Sequence, residues 1–385
     1  MGRMHTVLVA GGGVGGLACA HRLARRLPEG DRVVVFDHRP VHTFWPSLLW
    51  VMTGTRRSSD VARPFGTLRD ARVEVVQTPV TAIDPKARTV QAGGQTWTGD
   101  ALVVALGAAL DPDGIPGLGV EPGNFYTTQG AEAVWTELQT LEQGRVVVAI
   151  PTTPFKCPAA PYEAAMLIDG YLRKRGRRAR VSVELWAAEA APMAVAGPGV
   201  SHAVEEALAH RDIAYHPSER LEAVAGDRRQ LEFTGHPAVG YDLLAYVPPH
   251  RVPEVVASAG LAPEDGWVSV DRHTLETSHP GVYAIGDVVS IPLTMGKPLP
   301  KAGVFAFTEG EVVADRIVDQ VGGRVSGVRF DGRGECFIEM GRGQAGFARG
   351  QFFAEPAPAV RVYRSGRHWH AAKLAFERQW WSQWW

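Results

Sequence analysis

The sequence predicts an α/β fold built from two three-layer ββα units, with a small segment at the C-terminal end. Three stretches carry that expectation. Thr6-Val-Leu-Val-Ala10 is a continuous apolar run that leads into Gly11-Gly-Gly13-Val-Gly15-Gly16 and a helical stretch. Arg145 to Ile150 is a second β-type run leading into a helical stretch, with no glycine between the two. Late in the chain, Gly281 to Val288 contains Ala284-Ile-Gly286-Asp287, a strand ending in Gly-Asp, and an apolar helix follows. Uninterrupted apolar runs suit parallel strands covered on both faces, and their alternation with helical patterns makes βαβ units.

In the first unit the helix is expected over Leu17 to Leu27, stopped by Pro28-Glu-Gly30, and the next strand is Arg32-Val-Val-Val-Phe36, closed by Asp37. Strand, GxGxxG, helix, strand and acid in this order make a Rossmann-like dinucleotide site far more specific than the glycines alone. Gly11 makes the tight turn, Gly13 admits a pyrophosphate, Gly16 lets the helix lie close to the sheet, and Asp37 accepts from ribose hydroxyls. Cys19, among Leu17, Ala18 and Ala20, reads as a small buried hydrophobe. Pro40 to Ser47 is an aromatic connection that a bare unit does not need. Short strands then follow at Val73–Val76, Thr78–Asp84, Thr89–Ala92 and Gln95–Trp97, and Ala101–Gly107 returns to the sheet.

The second unit opens with helical spacing over Tyr126 to Gln143 and continues through the strand 145–150. Where a second phosphate loop belongs, the chain has Pro-Thr-Thr-Pro-Phe-Lys-Cys157-Pro-Ala-Ala-Pro, four prolines and a thiol, before a helix over Tyr162 to Arg173. Prolines remove the backbone donors a pyrophosphate needs, which argues against a nicotinamide nucleotide here. Val181–Trp186 and a helix over Gly199 to His210 complete this half, and a weakly patterned region runs to Tyr246. Trp267–Asp271 and Gly281–Val288 restore the strand signal. Asp287, at a strand's carboxyl end, is placed to bond a ribityl or phosphate-bearing chain. The helix from Gly303 aims its positive end at a flavin's pyrimidine edge, where Lys301 adds charge. The expected division is residues 1–110 with 271–318 as a discontinuous FAD-binding domain, 111–270 as a second Rossmann-like domain, and 319–385 as the C-terminal segment.

A length of 385 residues suits two or three domains. With 45% hydrophobic and 21% charged residues the chain is ordinary globular material. A formal net charge of -1 offers no field for nucleic acid. No apolar run is long enough for a transmembrane helix, and a first strand starting by Thr6 leaves no room for a secretory leader, so a cytoplasmic location is expected. Three cysteines, Cys19, Cys157 and Cys336, are too few for a disulfide scaffold.

Gly11-x-Gly13-x-x-Gly16, Phe44-x-Pro46-Ser47, Ala105-Leu-Gly107, Ala284-Ile-Gly-Asp287 and Leu299-Pro-Lys-Ala-Gly303 together resemble the FAD-dependent pyridine-nucleotide-disulfide oxidoreductase superfamily. Within it, Lys156-Cys157-Pro-Ala-Ala-Pro-Tyr-Glu163 and Gly334-Glu-Cys336-Phe-Ile-Glu339 resemble the sulfide:quinone oxidoreductase and flavocytochrome c sulfide dehydrogenase branch. The resemblance implies that FAD is held by Gly11, Gly13, Gly16, Asp37, Pro46, Val80, Gly107, Gly286, Asp287, Lys301 and Gly303. It also implies that Cys157 and Cys336 form a redox-active disulfide beside the flavin. Sulfide opens such a disulfide, leaving a persulfide and a thiolate. The thiolate's pKa is expected to be lowered by neighbouring charge such as Lys156, or by a helix start. Glu163 is the candidate base for hydrogen sulfide, with an exposed acid in a helix's first turn as the plainer reading. The third cysteine that many relatives carry before the first motif has no counterpart other than Cys19.

A quinone is the expected electron acceptor. Five of the eleven tryptophans, Trp369, Trp380, Trp381, Trp384 and Trp385, crowd the C-terminal end. At about 100° per residue, Phe376 and the last four share half of a helix, with Lys373 and Glu377 projecting into the same arc. This helix either lies in a membrane surface, placing the enzyme peripherally on the inner face, or docks on the protein's core or on a second copy as a homodimer. The alternatives to a sulfide:quinone enzyme are a flavocytochrome c-type subunit, a type II NADH dehydrogenase-like flavoprotein, and a redox-sensing flavoprotein without turnover.

Overall fold

The computed structural model describes residues 4–263 and 266–385. Its first sheet is five-stranded, in the spatial order Val282–Ala284, Ala101–Val104, Thr6–Ala10, Arg32–Phe36, Val73–Val76. Every pairing in it is parallel. The late strand Val282–Ala284 thus pairs with the early strand Ala101–Val104. A three-stranded antiparallel excursion, Val80–Asp84, Thr89–Ala92 and Gln95–Thr98, interrupts the unit. The second sheet runs Ala214–Pro217, Val181–Ala187, Gly144–Ile150, Leu243–Tyr246, again all parallel. The weakly patterned region folds as the hairpins Leu221–Ala225, Gln230–Phe233 and Val239–Gly240, followed by that last strand.

Helix boundaries follow local chemistry. The helix expected from Tyr126 begins at Thr128, because the Thr127 side chain accepts the Gly130 N–H and caps it there. The helix expected from Tyr162 begins at Ala160, since Pro161 is tolerated in a first turn whose N–H groups have no intrahelical partner. Helix Val14–Arg26 lies against helix Gly303–Val321 at very short range: a Cβ on Gly310 would stand 2.4 Å from the Gly15 carbonyl oxygen.

The C-terminal segment is an antiparallel meander, Arg333–Glu339, Ala345–Gln351 and Ala359–Gly366, and then the helix Arg367–Trp384. Of the readings for this helix, the structure takes docking on the chain's own core. Trp380 and Trp384 are 3% and 1% exposed and pack with Leu17, Ala18, Phe44 and Phe65 of the first unit. Arg69 N–H donates to the Trp384 carbonyl, and the Trp385 indole donates to the Pro64 carbonyl. Lys373 and Glu377, which looked like interruptions of the aromatic arc, are buried as well. Residues 373, 377, 380 and 384 recur at the three- and four-residue spacing of one helix face, so a single stripe is polar at its start and aromatic at its end.

Candidate functional site

The glycine loop is shaped by contacts with its own backbone. Gly11 has φ 114°, and a Cβ there would lie 2.2 Å from the Ala105 carbonyl oxygen. A Cβ on Gly16 would stand 1.9 Å from the Gly11 carbonyl oxygen, whereas a Cβ on Gly13 would meet nothing within 4 Å. Gly13 is the N-cap of helix Val14–Arg26, and no side chain caps that end or supplies an acid to its first turn. Unsatisfied N–H groups beside open space are what a pyrophosphate needs. Asp37 is 5% exposed, accepts the Gly12 N–H at 2.9 Å and binds the Arg39 guanidinium at 2.9 and 2.7 Å. Burial alone would raise its carboxyl, but Arg39 and the Gly12 N–H hold it below the usual range. Its acceptor positions are thus shared between loop and arginine.

His42, which the sequence left unassigned, ties this loop to the C-terminal helix. Its Nδ1 lies 3.1 Å from the Gly12 carbonyl oxygen, and its Nε2 accepts from the Trp380 indole N–H at 3.3 Å. Those two partners require the neutral ring with the proton on Nδ1, and burial pushes its pKa down to about 4.

The other expected cofactor residues sit on several different elements. Pro46 sits in the short turn Trp45–Ser47, and Ser47 Oγ–H donates to Glu377 of the C-terminal helix at 2.6 Å. Val80 opens the antiparallel excursion and packs on the first unit's core. Gly107 and Gly286 have φ 69° and 75°. The Gly286 N–H donates at 2.6 Å to Glu309, which the sequence reading did not single out and whose carboxyl burial raises to about 8. Asp287 is part-buried, and burial raises its carboxyl against the pull of Lys156 and Lys301. Lys301 does not present its ammonium as an open charge. It donates to the Asp287 and Val289 carbonyls at 2.7 and 2.8 Å and lies 3.4 Å from the Trp267 ring centre, with burial lowering it to about 8. Positive potential here comes from the start of helix Gly303–Val321, which carries no side-chain cap.

The proline-rich loop and the meander meet beside this region. Cys157 adopts a left-handed φ of 52°, and its N–H donates to the Lys301 carbonyl at 2.7 Å, tying the thiol loop to the Leu299–Gly303 loop. Tyr126 Oη–H donates to the Lys156 carbonyl at 2.8 Å from the other side. Cys336 lies on strand Arg333–Glu339, and its thiol points at the Phe337 carbonyl at 3.2 Å. Both cysteines are free thiols that border the same apolar cluster. Each is perturbed by the charges of Glu163 and Lys373, and Cys336 is also perturbed by Cys157.

The expectation that these thiols are acidified is corrected. Burial and the Glu163 carboxylate push Cys157 up to about 12 and raise Cys336 as well. Lys156, whose ammonium faces the Trp45 ring at 5.1 Å and is itself lowered by burial, interacts with Cys157 but does not outweigh burial and Glu163. The opposing cation is Lys373. Glu163 is not an exposed first-turn acid: it is 3% exposed, pairs with Lys373 at 2.8 Å and accepts the Glu339 N–H at 2.7 Å. Glu339, also buried, faces His370 at 3.0 Å. Burial alone would lower Lys373, but Glu163 and Glu339 outweigh it and hold the ammonium above its usual range. Cys19 is fully buried in the first helix, away from this cluster.

Comparison with known proteins fits this geometry. Residues 5–152 match the pyridine nucleotide-disulphide oxidoreductase family, and residues 131–235 match the central part of the flavoprotein chain of sulfide dehydrogenase [flavocytochrome c]. The chain is 30% identical to the sulfide-quinone reductase of Aquifex aeolicus, over 97% of its own length and 89% of that protein. The chain belongs to the sulfide:quinone oxidoreductase family. It is 28% identical to the mitochondrial sulfide:quinone oxidoreductase of Mus musculus over 75% of its own length and 66% of the relative's. The solved structure of the Aquifex aeolicus enzyme superposes with a TM-score of 0.88 at 27% identity, covering 97% of this chain and 90% of that one. As a member of this family the chain is an FAD-binding flavoenzyme. The open cradle at Gly13 and the two uncapped helix starts are suited to hold FAD. Among the described residues no helix is long and apolar enough to cross a membrane.

Proposed function

We propose that the chain oxidises sulfide through Cys157 and Cys336 as a redox pair and passes the electrons through FAD to a quinone. The observation that carries this reading is the convergence of the two thiols, from a loop and a strand far apart in sequence, on one Glu163–Lys373 ion pair beside the Lys301–Gly303 loop. Hydrosulfide attacks one sulfur of the oxidised pair. The Cys–Cys bond breaks, a persulfide forms on one residue, and the other leaves as a thiolate. Lys373 stands where that thiolate appears and offsets the charge that Glu163 and burial disfavour. Bound FAD supplies a two-electron acceptor that a quinone reoxidises.

A quinone is favoured by an aromatic wall that starts at Phe337, next to Cys336, and reaches Phe347, Trp369 and Phe376. Phe376 is 42% exposed and also touches Phe44 of the first unit. With half-buried Trp381 and Trp385 it gives a surface suited to peripheral membrane attachment, even though Trp380 and Trp384 face inward. The match to the flavocytochrome c flavoprotein's central part favours a haem acceptor as the second reading.

The test is anaerobic titration of the FAD-loaded protein with sulfide. Wild type bleaches, while Cys157→Ser and Cys336→Ser keep FAD and do not; bleaching in either variant overturns the assignment. Decylubiquinone against cytochrome c as oxidant then separates the two acceptors.

A further inference from the structure

The ion pair beside the two thiols continues outward on one side. One oxygen of the Glu163 carboxylate takes both the Lys373 ammonium, at 2.8 Å, and the Glu339 N–H, at 2.7 Å. The Glu339 carboxylate in turn meets His370 Nδ1 with both of its oxygens, each at 3.0 Å. Exposure rises along this row: the side chains of Glu339, Glu163 and Lys373 are 1%, 4% and 6% exposed, that of His370 27%. Trp50, itself buried, closes one flank, with its ring 5.2 Å from the Lys373 ammonium and 6.2 Å from the His370 ring.

One ammonium here serves three anions. Glu163, Glu339 and an ionised Cys336 all draw on Lys373. Neighbouring cations are engaged elsewhere: Arg56 binds Glu377 at 2.9 Å, and Arg211, which reaches the Met340 carbonyl at 3.0 Å, is drawn by Asp169. Arg367 and His368, earlier on the same helix, are exposed. Burial raises the Glu339 carboxyl, and Lys373 and His370 are the groups that oppose it. With both carboxylates ionised the row holds one negative charge too many, and a proton on His370 cancels it. Nδ1–H stays on the carboxylate, so the proton that comes and goes is the one on Nε2. Imidazole is the side chain whose ordinary titration spans neutral pH.

We propose that His370 is a proton port for the thiol pocket: acting through Glu339, it governs how much of the Lys373 charge is available to Cys157 and Cys336. This role presupposes that the two cysteines are the redox pair proposed above. When His370 takes a proton from water, Glu339 gains a cation of its own, and Lys373 is left to Glu163 and to the thiolate released as the disulfide opens. When His370 is neutral, the same ammonium is divided between both carboxylates, and the thiolate is disfavoured. His370 touches neither sulfur; it is a positioning residue for charge, and it ties the reactivity of the pair to the pH outside.

The test reads thiol reactivity with 4,4′-dithiodipyridine on the FAD-loaded full chain, reduced with dithiothreitol and desalted. The Cys157→Ser/Cys336→Ser variant, which keeps Cys19 alone, supplies the background. His370→Gln is expected to react roughly fivefold more slowly than wild type at about pH 6 and as wild type does at about pH 9. Adding Glu339→Gln to it removes the uncompensated carboxylate and restores the wild-type rate at about pH 6. A purely structural role for His370 would slow the variant at both pH values. His370→Gln with the wild-type profile, slowed alike at both pH values, or not restored by Glu339→Gln overturns the port. Anaerobic sulfide bleaching is run on the same samples: thiol rates that follow the expected pattern while wild type fails to bleach leave the port standing and overturn the redox pairing instead.

Discussion

Replacing Lys373 by methionine removes the only cation paired with Glu163 among the described residues while keeping most of the side-chain volume. The two charged atoms are 2.8 Å apart, and their side chains are 6% and 4% exposed. At an effective dielectric of about 20 such a pair attracts by roughly 6 kcal/mol, most of it offset by the cost of dehydrating both ions. What the substitution measures is the carboxylate left behind, which costs about 3–5 kcal/mol when buried without a partner. Glu339 close by makes the loss worse, because Lys373 is also the cation that opposes the burial of its carboxyl. The assay is urea unfolding followed by far-UV circular dichroism, for K373M, E163Q and the double variant. In the double variant the amide that replaces the Glu163 carboxylate still accepts the Glu339 N–H and no charge is stranded, so stability should return to within about 1 kcal/mol of wild type. Lys373 also lowers both thiols. In K373M, therefore, the pH profile of sulfide-dependent flavin reduction should move to higher pH. A single variant within about 0.5 kcal/mol of wild type, or a double variant no better than K373M, would refute the pairing argument.

Four further outcomes follow from the geometry. Gly13→Ala should fold normally, since Gly13 has φ −75° and open space around its Cβ, yet lose FAD on gel filtration. Gly16→Ala should lose about 1–3 kcal/mol or more of stability from its clash with Gly11. The Glu309 carboxyl titrates near 8 when folded, above its unfolded value, so its protonated form is the one the fold favours. Its stability contribution is complete at pH 4 and falls away as pH rises through about 8. Glu309→Gln should therefore flatten the urea midpoint against pH and exceed wild type at pH 8 but not at pH 4. Trp380→Ala should cost about 3–5 kcal/mol and lower FAD retention, because it empties a buried site and leaves His42 without its Nε2 partner; unchanged FAD content would show that the His42 link does not steady the loop.

The first unit was legible because its contacts are local. A glycine turn needs only its own backbone to read, and Thr6 to Asp37 carries strand, loop, helix and acid within one stretch. The missing glycines before Cys157 were equally visible. Cys336 came only through resemblance, since nothing in its neighbourhood says which loop it will face. The Glu163–Lys373 pair was out of reach for the same reason, spanning 210 positions. Lys373 and Glu377 were seen and misjudged: a membrane-facing arc has no use for them, but a stripe that crosses from a thiol pocket to a cofactor loop does. The acidification expected of Cys157 failed because burial and the Glu163 carboxylate outweigh Lys156, whose ammonium also faces Trp45.

Helix Arg367–Trp384 comes after every other element of the fold, and so it is synthesised after them. Until it emerges, Glu163 has no cation, Ser47 no acceptor at Glu377, and the groove over Leu17 and Phe44 no tryptophan. Nascent domains fold from the N-terminal side as they are made, so the glycine loop can form early but is steadied late. A chain interrupted before this helix would leave that groove open to chaperones and proteases, and Glu163 without the cation it pairs with. The late helix thus closes the Glu163 ion pair and the packing over the glycine loop only once it has itself docked.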